Sequence, residues 1–87
     1  MFGKIIKIYT AMITNDEEYI TNRCEYIVRR EKGKILEPYY TKDDISYVTF
    51  TCNPIKYRKI RAAFKDVAKT LSGNTSISLC VTDVFYV

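Results

Sequence analysis

The alternation of hydrophobic and polar residues along the chain switches between two periods. Apolar residues three or four positions apart, the helical period, cover two segments, and the two-residue period of strands covers the segments around them. Gly33, Pro54 and Gly73 lie at the boundaries. The predicted strands are residues 3–13, 34–40, 45–52 and 76–87, and the predicted helices are residues 15–32 and 54–71.

The helix predicted over residues 15–32 has signals at both ends. Thr14 and Glu17 have the spacing of a capping box, acidic residues occupy the first turn, and basic residues precede Gly33 at the C′ position. The cap, the charge polarity and the glycine all favour the helix. A hairpin in which residues 23–30 form a strand remains an alternative, because the segment is rich in β-branched side chains.

The second helix and the second strand carry stronger local signals. Asn53 is a favourable N-cap, and Pro54 is a favourable first helical residue. In the strand over residues 34–40, Pro38 lacks the N–H group that a central strand needs, so this strand is expected at a sheet edge. The apolar stripe that should pack the second helix on the core is Ile60, Phe64, Val67 and Leu71.

The order of these elements is β-α-β, repeated once. The expected fold class is α+β, with a single small domain over residues 1–87. The arrangement is a ferredoxin-like βαββαβ open-faced sandwich, in which a four-stranded antiparallel sheet carries two helices on one face. In this topology the second strand lies at an edge, as Pro38 requires.

The residue types argue against catalysis. The chain has no histidine, and its cysteines, Cys24, Cys52 and Cys80, show no CxxC pairing that would indicate a disulfide framework or a zinc site. No phosphate loop or nucleophile motif occurs, and the adjacent Asp43 and Asp44 are typical of a turn. We therefore expect a protein that is not an enzyme and that holds no cofactor and no metal.

Hydropathy and codon bias suggest where the chain acts. Its longest apolar runs are far too short to cross a membrane, and its first residues lack the continuous apolar stretch of a secretory signal. Ile, Lys, Asn, Tyr and Phe, all with A/T-rich codons, supply 36 of the 87 residues. The expected location is the cytoplasm, and a phage or viral origin would make it the host cytoplasm.

Basic residues form the first candidate binding surface. The net charge is +4, which mildly favours nucleic acid or an acidic protein as the partner. Helical spacing predicts one outward row of cations on the second helix, and Arg29 and Arg30 add two more near the end of the first. This row, the basic stripe, consists of Arg58, Arg61, Lys65 and Lys69. It can neutralise phosphates or acidic side chains, although a solvated helix face would have the same composition.

Tyrosines form the second candidate surface. If Ile6 and Ile8 face the helices, then Lys7 and Tyr9 lie on the open face of the sheet, with Tyr47 beside them on the neighbouring strand. Such a face could equally be covered by tyrosines for packing alone, or could form a protein–protein interface.

This arrangement resembles the platform on which RNA-recognition motifs stack bases. Residues 47–50, with the sequence YVTF, match the second half of that family's third-strand signature, and Tyr9 matches its first-strand signature. Residues 43–46, with the sequence DDIS, depart from the basic residue and glycine that the family has there, so we do not assign the chain to it. The resemblance implies RNA rather than DNA as a nucleic-acid ligand.

Three functions fit these features. The first is a small non-enzymatic regulator or inhibitor of the kind that viruses and phages encode, docking on a host protein or nucleoprotein complex through the basic helix and the tyrosine-rich sheet. The second is an RNA- or DNA-binding module. The third is a structural homodimer domain in which residues 84–87 complete the sheet of a second copy.

Overall fold

The structure, a computed structural model, describes residues 5–14, 18–70 and 76–86. Its elements follow the predicted order, and the first helical segment is a helix, so the hairpin alternative over residues 23–30 is wrong. The elements are β1 (Ile5–Thr14), α1 (Glu18–Arg30), β2 (Lys34–Lys42), β3 (Ile45–Thr51), α2 (Pro54–Thr70) and β4 (Ser76–Tyr86).

The four strands form one sheet in the order β2-β3-β1-β4, and every neighbouring pair is antiparallel. Helix α1 packs against β2 and β3, α2 packs against β4, and the two helices contact each other. This is the predicted ferredoxin-like βαββαβ fold, with β2, the strand that contains Pro38, at one edge and β4 at the other.

The core lies between the helices and the face of the sheet formed by Tyr9, Ala11 and Ile13 of β1. Register places Val48 and Phe50 of β3 opposite Ala11 and Tyr9, and all five side chains are buried. The prediction that Ile6 and Ile8 face the helices is therefore wrong, since the odd-numbered residues of β1 do so. The first residues of β1 extend beyond the end of β3, whose pairing starts at Ile8, so their apolar side chains do not report the core face.

Helix α1 ends in a Schellman motif that is shifted by one residue from the prediction. Lys32 adopts the left-handed conformation with φ 62°, and the N–H of Gly33 donates to the carbonyl oxygen of Val28 over 2.8 Å. Gly33 is thus at C″ and Lys32 at C′. Glycine is needed at C″ because a Cβ there would lie 2.8 Å from Cγ1 of Val28 and 3.1 Å from the carbonyl oxygen of Thr51.

The predicted start of α2 is confirmed. The Asn53 side-chain oxygen accepts a hydrogen bond of 2.9 Å from the N–H of Ile55, as expected of an N-cap followed by Pro54 at the first helical position. Ile60 and Phe64 are buried as predicted. Leu71, like Glu17 of the proposed capping box, lies outside the described residues.

Asp43 and Asp44 form the turn between β2 and β3. Both have positive φ, 53° and 64°, and they connect the paired residues Lys42 and Ile45. Two central residues with positive φ define a type I′ hairpin, and aspartate tolerates this conformation better than most residues do. The turn explains the two carboxylates without a catalytic role.

Candidate binding site on the second helix

The basic stripe lies on the side of α2 that faces away from the core. All four side chains are exposed, whereas Ile60 and Phe64 point into the core from the opposite side. This separation follows from the helical period, because residues three or four apart share a face. The predicted stripe is therefore one continuous surface.

Within the described part of the chain, no member of the basic stripe is ion-paired with a carboxylate. The cations near the end of α1 differ. Arg29 contacts Glu25 over 3.3 Å and Arg30 contacts Glu31 over 3.2 Å, and Lys56 lies 3.9 Å from the same Glu31. Arg29 and Arg30 therefore each contact a carboxylate, and Arg30 shares its partner with Lys56.

Asp66, the acidic residue nearest the stripe in sequence, lies on the other flank of α2. It lines the groove between the two helices together with Arg23 and Arg30 of α1. The carboxylate therefore does not interrupt the row of cations.

A groove with a volume of about 450 Å³ runs between α2 and the edge strand β4. The strand supplies an apolar floor, and the helix supplies a wall that carries two members of the basic stripe. Its lining residues are Tyr57, Arg61, Phe64, Lys65, Ile77, Ser78 and Leu79, and we call it the α2–β4 groove. Sequence reasoning missed this site, although the alternating apolar residues Ile77, Leu79 and Val81 signalled a half-covered strand.

Tyr9 belongs to the core rather than to the open face. Only 3% of it is exposed, and its ring stacks on that of Tyr57 of α2 with the centroids 4.2 Å apart. Burial, with smaller contributions from Cys52 and Tyr57, raises the pKa of its phenol. By alternation Lys7 lies on the same side of the sheet as Tyr9, so both assignments to the open face are wrong.

Tyr47 does lie on the open face, as predicted. It pairs across the strands with Tyr40, and the two rings stack with their centroids 4.9 Å apart. Because Tyr9 is buried in the core, the predicted aromatic platform is reduced to this pair, which lies on the β2 side of the open face.

Threonines occupy the centre of the open face instead of aromatic residues. The hydroxyl oxygen of Thr10 lies 3.4 Å from that of Thr49 on β3 and 3.2 Å from that of Thr82 on β4. Thr82 donates in turn to the carbonyl oxygen of Ile8 over 3.3 Å. The middle of the face is therefore a row of hydroxyls that crosses three strands.

Cys52 and Cys80 are free thiols, and Cys24 forms no disulfide. Cys24 is buried. Burial raises the pKa of the Cys52 thiol, which lowers the fraction of its reactive thiolate near neutral pH. Across residues 5–14, 18–70 and 76–86, no group of side chains is arranged to hold a metal ion. Nor does any helix in these ranges combine the length and apolar character needed to cross a membrane.

No protein-family model matches the chain, and no curated protein matches it. Among solved structures it is similar to the de novo designed protein Foldit4, with a TM-score of 0.61 and 12% identity, covering 92% of this chain and 98% of that one. It is also similar to an ACT domain protein from Streptococcus pneumoniae, with a TM-score of 0.60 and 15% identity, covering 87% of this chain and 89% of that one. At these identities the likeness shows a shared fold and carries no function.

Proposed function

We propose that the chain is a small non-enzymatic binding protein, a regulator or inhibitor of the viral or phage type. In this proposal it acts in the host cytoplasm and docks through the basic stripe on an acidic surface of a host protein or nucleoprotein complex. The observation that carries the proposal is the row of four exposed cations on α2, none of them ion-paired with a carboxylate in the described part of the chain.

The physics of exposed charges supports a docking role for such a row. A single exposed ion pair contributes at most about 1 kcal/mol, so affinity would come from several cations that meet complementary charges together. A field of one sign also accelerates encounter with a partner of the opposite sign. Cations already engaged by neighbouring carboxylates, as Arg29 and Arg30 are, would contribute less.

A second candidate function is RNA binding on the open face of the sheet. It is supported by the stacked pair Tyr40 and Tyr47, which shares that face with Lys34 and Lys42 according to the strand register. Aromatic side chains beside cations can stack bases and hold phosphates. The burial of Tyr9 leaves this platform smaller than the sequence suggested, so we rank this candidate second.

The test compares two charge reversals of equal size. One variant replaces all four members of the basic stripe with glutamate, and the matched control replaces Lys32, Lys34, Lys42 and Lys59, which are also exposed, with glutamate. Each tagged protein is used to capture partners from an extract of the cells in which the chain is naturally made, with and without nuclease. Thermal melts verify folding, since exposed substitutions usually change stability by no more than about 0.5 kcal/mol each.

We expect the stripe variant to lose the partner and the control variant to keep it. Loss of the partner after nuclease treatment would identify nucleic acid, whose binding should weaken linearly with the logarithm of the salt concentration. Normal capture by the stripe variant would contradict the proposal. Loss in the control variant alone would favour the second candidate, because that variant removes the lysines beside the tyrosine pair.

A further inference from the structure

We propose that the α2–β4 groove binds an extended acidic segment of the partner, which pairs with β4 as an additional strand of the sheet. This inference rests on the proposed function and specifies the chemistry of the ligand. It follows from the contrast between the two sheet edges, from the lining of the groove and from the charges beside it.

The β2 edge has several features that prevent a further strand from pairing. It contains Pro38, it carries the exposed Lys34 and Lys42, and its register with β3 shifts between Ile35 and Glu37 and again beyond Glu37. Prolines, lysines and bulges are the usual means by which proteins block sheet edges. The β2 edge is therefore closed to pairing with a further strand.

The β4 edge has almost none of these features. The strand contains no lysine and no proline, and its only charged residue is Asp83. Its pairing with β1 is regular from Ser76 to Val81 and shifts only after Val81. An edge strand leaves alternate N–H and C=O groups without a partner strand, so the segment from Ser76 to Val81 offers a regular template for an added strand.

The groove indicates which side chains the added strand should carry. Alternate side chains of a strand beside the segment from Ser76 to Val81 would point toward α2, above the apolar floor of Ile77 and Leu79 and beside the wall that carries Arg61 and Lys65. Their opposite neighbours would meet the exposed Ser76 and Ser78 on the open face. Carboxylates at every second position, alternating with small polar residues, match both sides.

A second copy of this chain fits the same edge poorly. Two copies that pair through β4 about a two-fold axis would bring their α2 helices to the same face of the joined sheet, each with its basic stripe. The segment from Ser76 to Val81 contains no carboxylate that could offset this repulsion. Charge complementarity therefore favours a foreign acidic segment over self-association.

The test uses short synthetic peptides that carry a fluorescent label. The parent peptide, about nine residues long to match a typical strand, alternates glutamate with threonine, and a control peptide has lysine in place of glutamate. Two further peptides are N-methylated, one on every glutamate amide and the other on every threonine amide. Because alternate amides of a strand point to opposite edges, only one of these two sets faces β4.

We expect the parent peptide to bind in fluorescence anisotropy titrations. The lysine peptide and one of the methylated peptides should bind at least about tenfold more weakly, and the other methylated peptide should stay within about threefold of the parent. Hydrogen exchange of the amides of residues 76–81 should slow when the parent peptide binds, whereas exchange in β2 should not change.

Two protein variants of equal charge separate the groove from the rest of the stripe. Arg61→Glu with Lys65→Glu changes the wall of the groove, and Arg58→Glu with Lys69→Glu changes stripe members that do not line it. We expect the first pair to weaken binding of the parent peptide at least about tenfold and the second pair to weaken it less than about threefold.

Three results would overturn the inference. Equal binding of both methylated peptides and the parent would mean that carboxylates attach to the cations without strand pairing. Equal binding of the lysine peptide would remove the role of charge. A concentration-dependent dimer in sedimentation experiments, with slowed exchange in residues 76–81, would place a second copy on the edge. None of these results would contradict the proposed function, which fails only if reversal of the basic stripe leaves capture of the native partner unchanged.

Discussion

The two flanks of the molecule, α1 beside β2 and α2 beside β4, have the same architecture but differ in how far they are buried. Among the described side chains, five residues of α1 are buried, whereas α2 has two, Ile60 and Phe64. On the sheet, neither edge strand has a buried residue among the described side chains, so the difference in burial lies in the helices. The buried residues of α1 are Ile20, Thr21, Cys24, Ile27 and Val28.

Under the proposed function, this difference assigns stability to one flank and binding to the other. Five buried side chains hold α1 on the core, so we expect this flank to unfold only when the whole domain unfolds. Two buried side chains hold α2, with the half-buried Tyr57 stacked on Tyr9, and the α2–β4 groove beside them is left open. Binding surfaces are commonly drawn from the less stable parts of a protein, and the α2 flank fits that pattern.

The largest expected effect tests whether α2 depends on its two buried residues, Ile60 and Phe64. Phe64→Ala should cost roughly 3–5 kcal/mol, because it removes a buried ring that packs edge to face on Phe50 with the centroids 6.1 Å apart. Urea denaturation measures the loss, and hydrogen exchange should rise in α2 before it rises in α1. A Phe64→Ala variant as stable as the natural chain would show that α2 is held by other contacts.

A smaller effect tests the end of α1. Gly33→Ala should cost about 1–3 kcal/mol, because the added methyl group would crowd Val28 and the carbonyl oxygen of Thr51. Lys32→Gly, the neighbouring control, should instead stabilise the domain by up to about 1 kcal/mol, because it relieves the positive φ at C′. Thermal or chemical denaturation distinguishes the two, and equal effects would mean that the Schellman motif does not form as described.

The hairpin between β2 and β3 should respond more weakly. Asp44→Gly should stabilise the domain by up to about 1 kcal/mol, because glycine adopts the φ of 64° without the steric cost that aspartate bears. The gain is partly offset by the greater freedom of glycine in the unfolded chain. A loss of stability on substitution would show that the Asp44 carboxylate contributes to the turn in a way that the backbone geometry does not require.

The smallest expected change in the free energy of unfolding occurs only at alkaline pH. Burial raises the pKa of Tyr9 and of Cys52 in the folded state, so folding favours their protonated forms. The associated stabilisation is complete below the pKa values of the unfolded chain and is lost as the pH rises through those of the folded state. We expect the free energy of unfolding to fall above about pH 9–10, and to fall less steeply in Tyr9→Phe. An unchanged pH profile in that variant would remove Tyr9 as a cause.

Local signals predicted the parts of the fold that depend on one or two residues. Asn53 and Pro54 were sufficient to locate the start of α2, and Pro38 to place β2 at an edge, because each acts through its own backbone chemistry. The exact end of α1 was off by one residue, since the closing hydrogen bonds depend on which residue adopts the left-handed conformation, and either Lys32 or Gly33 could do so.

Features that depend on tertiary position were harder to predict. The basic stripe followed from the helical period alone, but the α2–β4 groove depends on where α2 lies over the sheet. The predicted face of β1 is wrong because Ile6 and Ile8, which are apolar, do not face the helices. Tyr9, Ala11 and Ile13 are the better indicators of the core face, because these three side chains are buried under the helices.

The row of hydroxyls across the open face has a direction. Thr82 gives its proton to the carbonyl of Ile8, so its oxygen is left to accept the proton of Thr10, and the oxygen of Thr10 accepts that of Thr49. A hydroxyl has one proton to give, so the orientation of each rotor fixes that of the next. The hydrogen bonds therefore run one way, from β3 to β4: a polar group that took the proton of Thr49 would leave only the oxygen of Thr10 without its donor, whereas the bonds from Thr10 to Thr82 and from Thr82 to Ile8 would keep their direction.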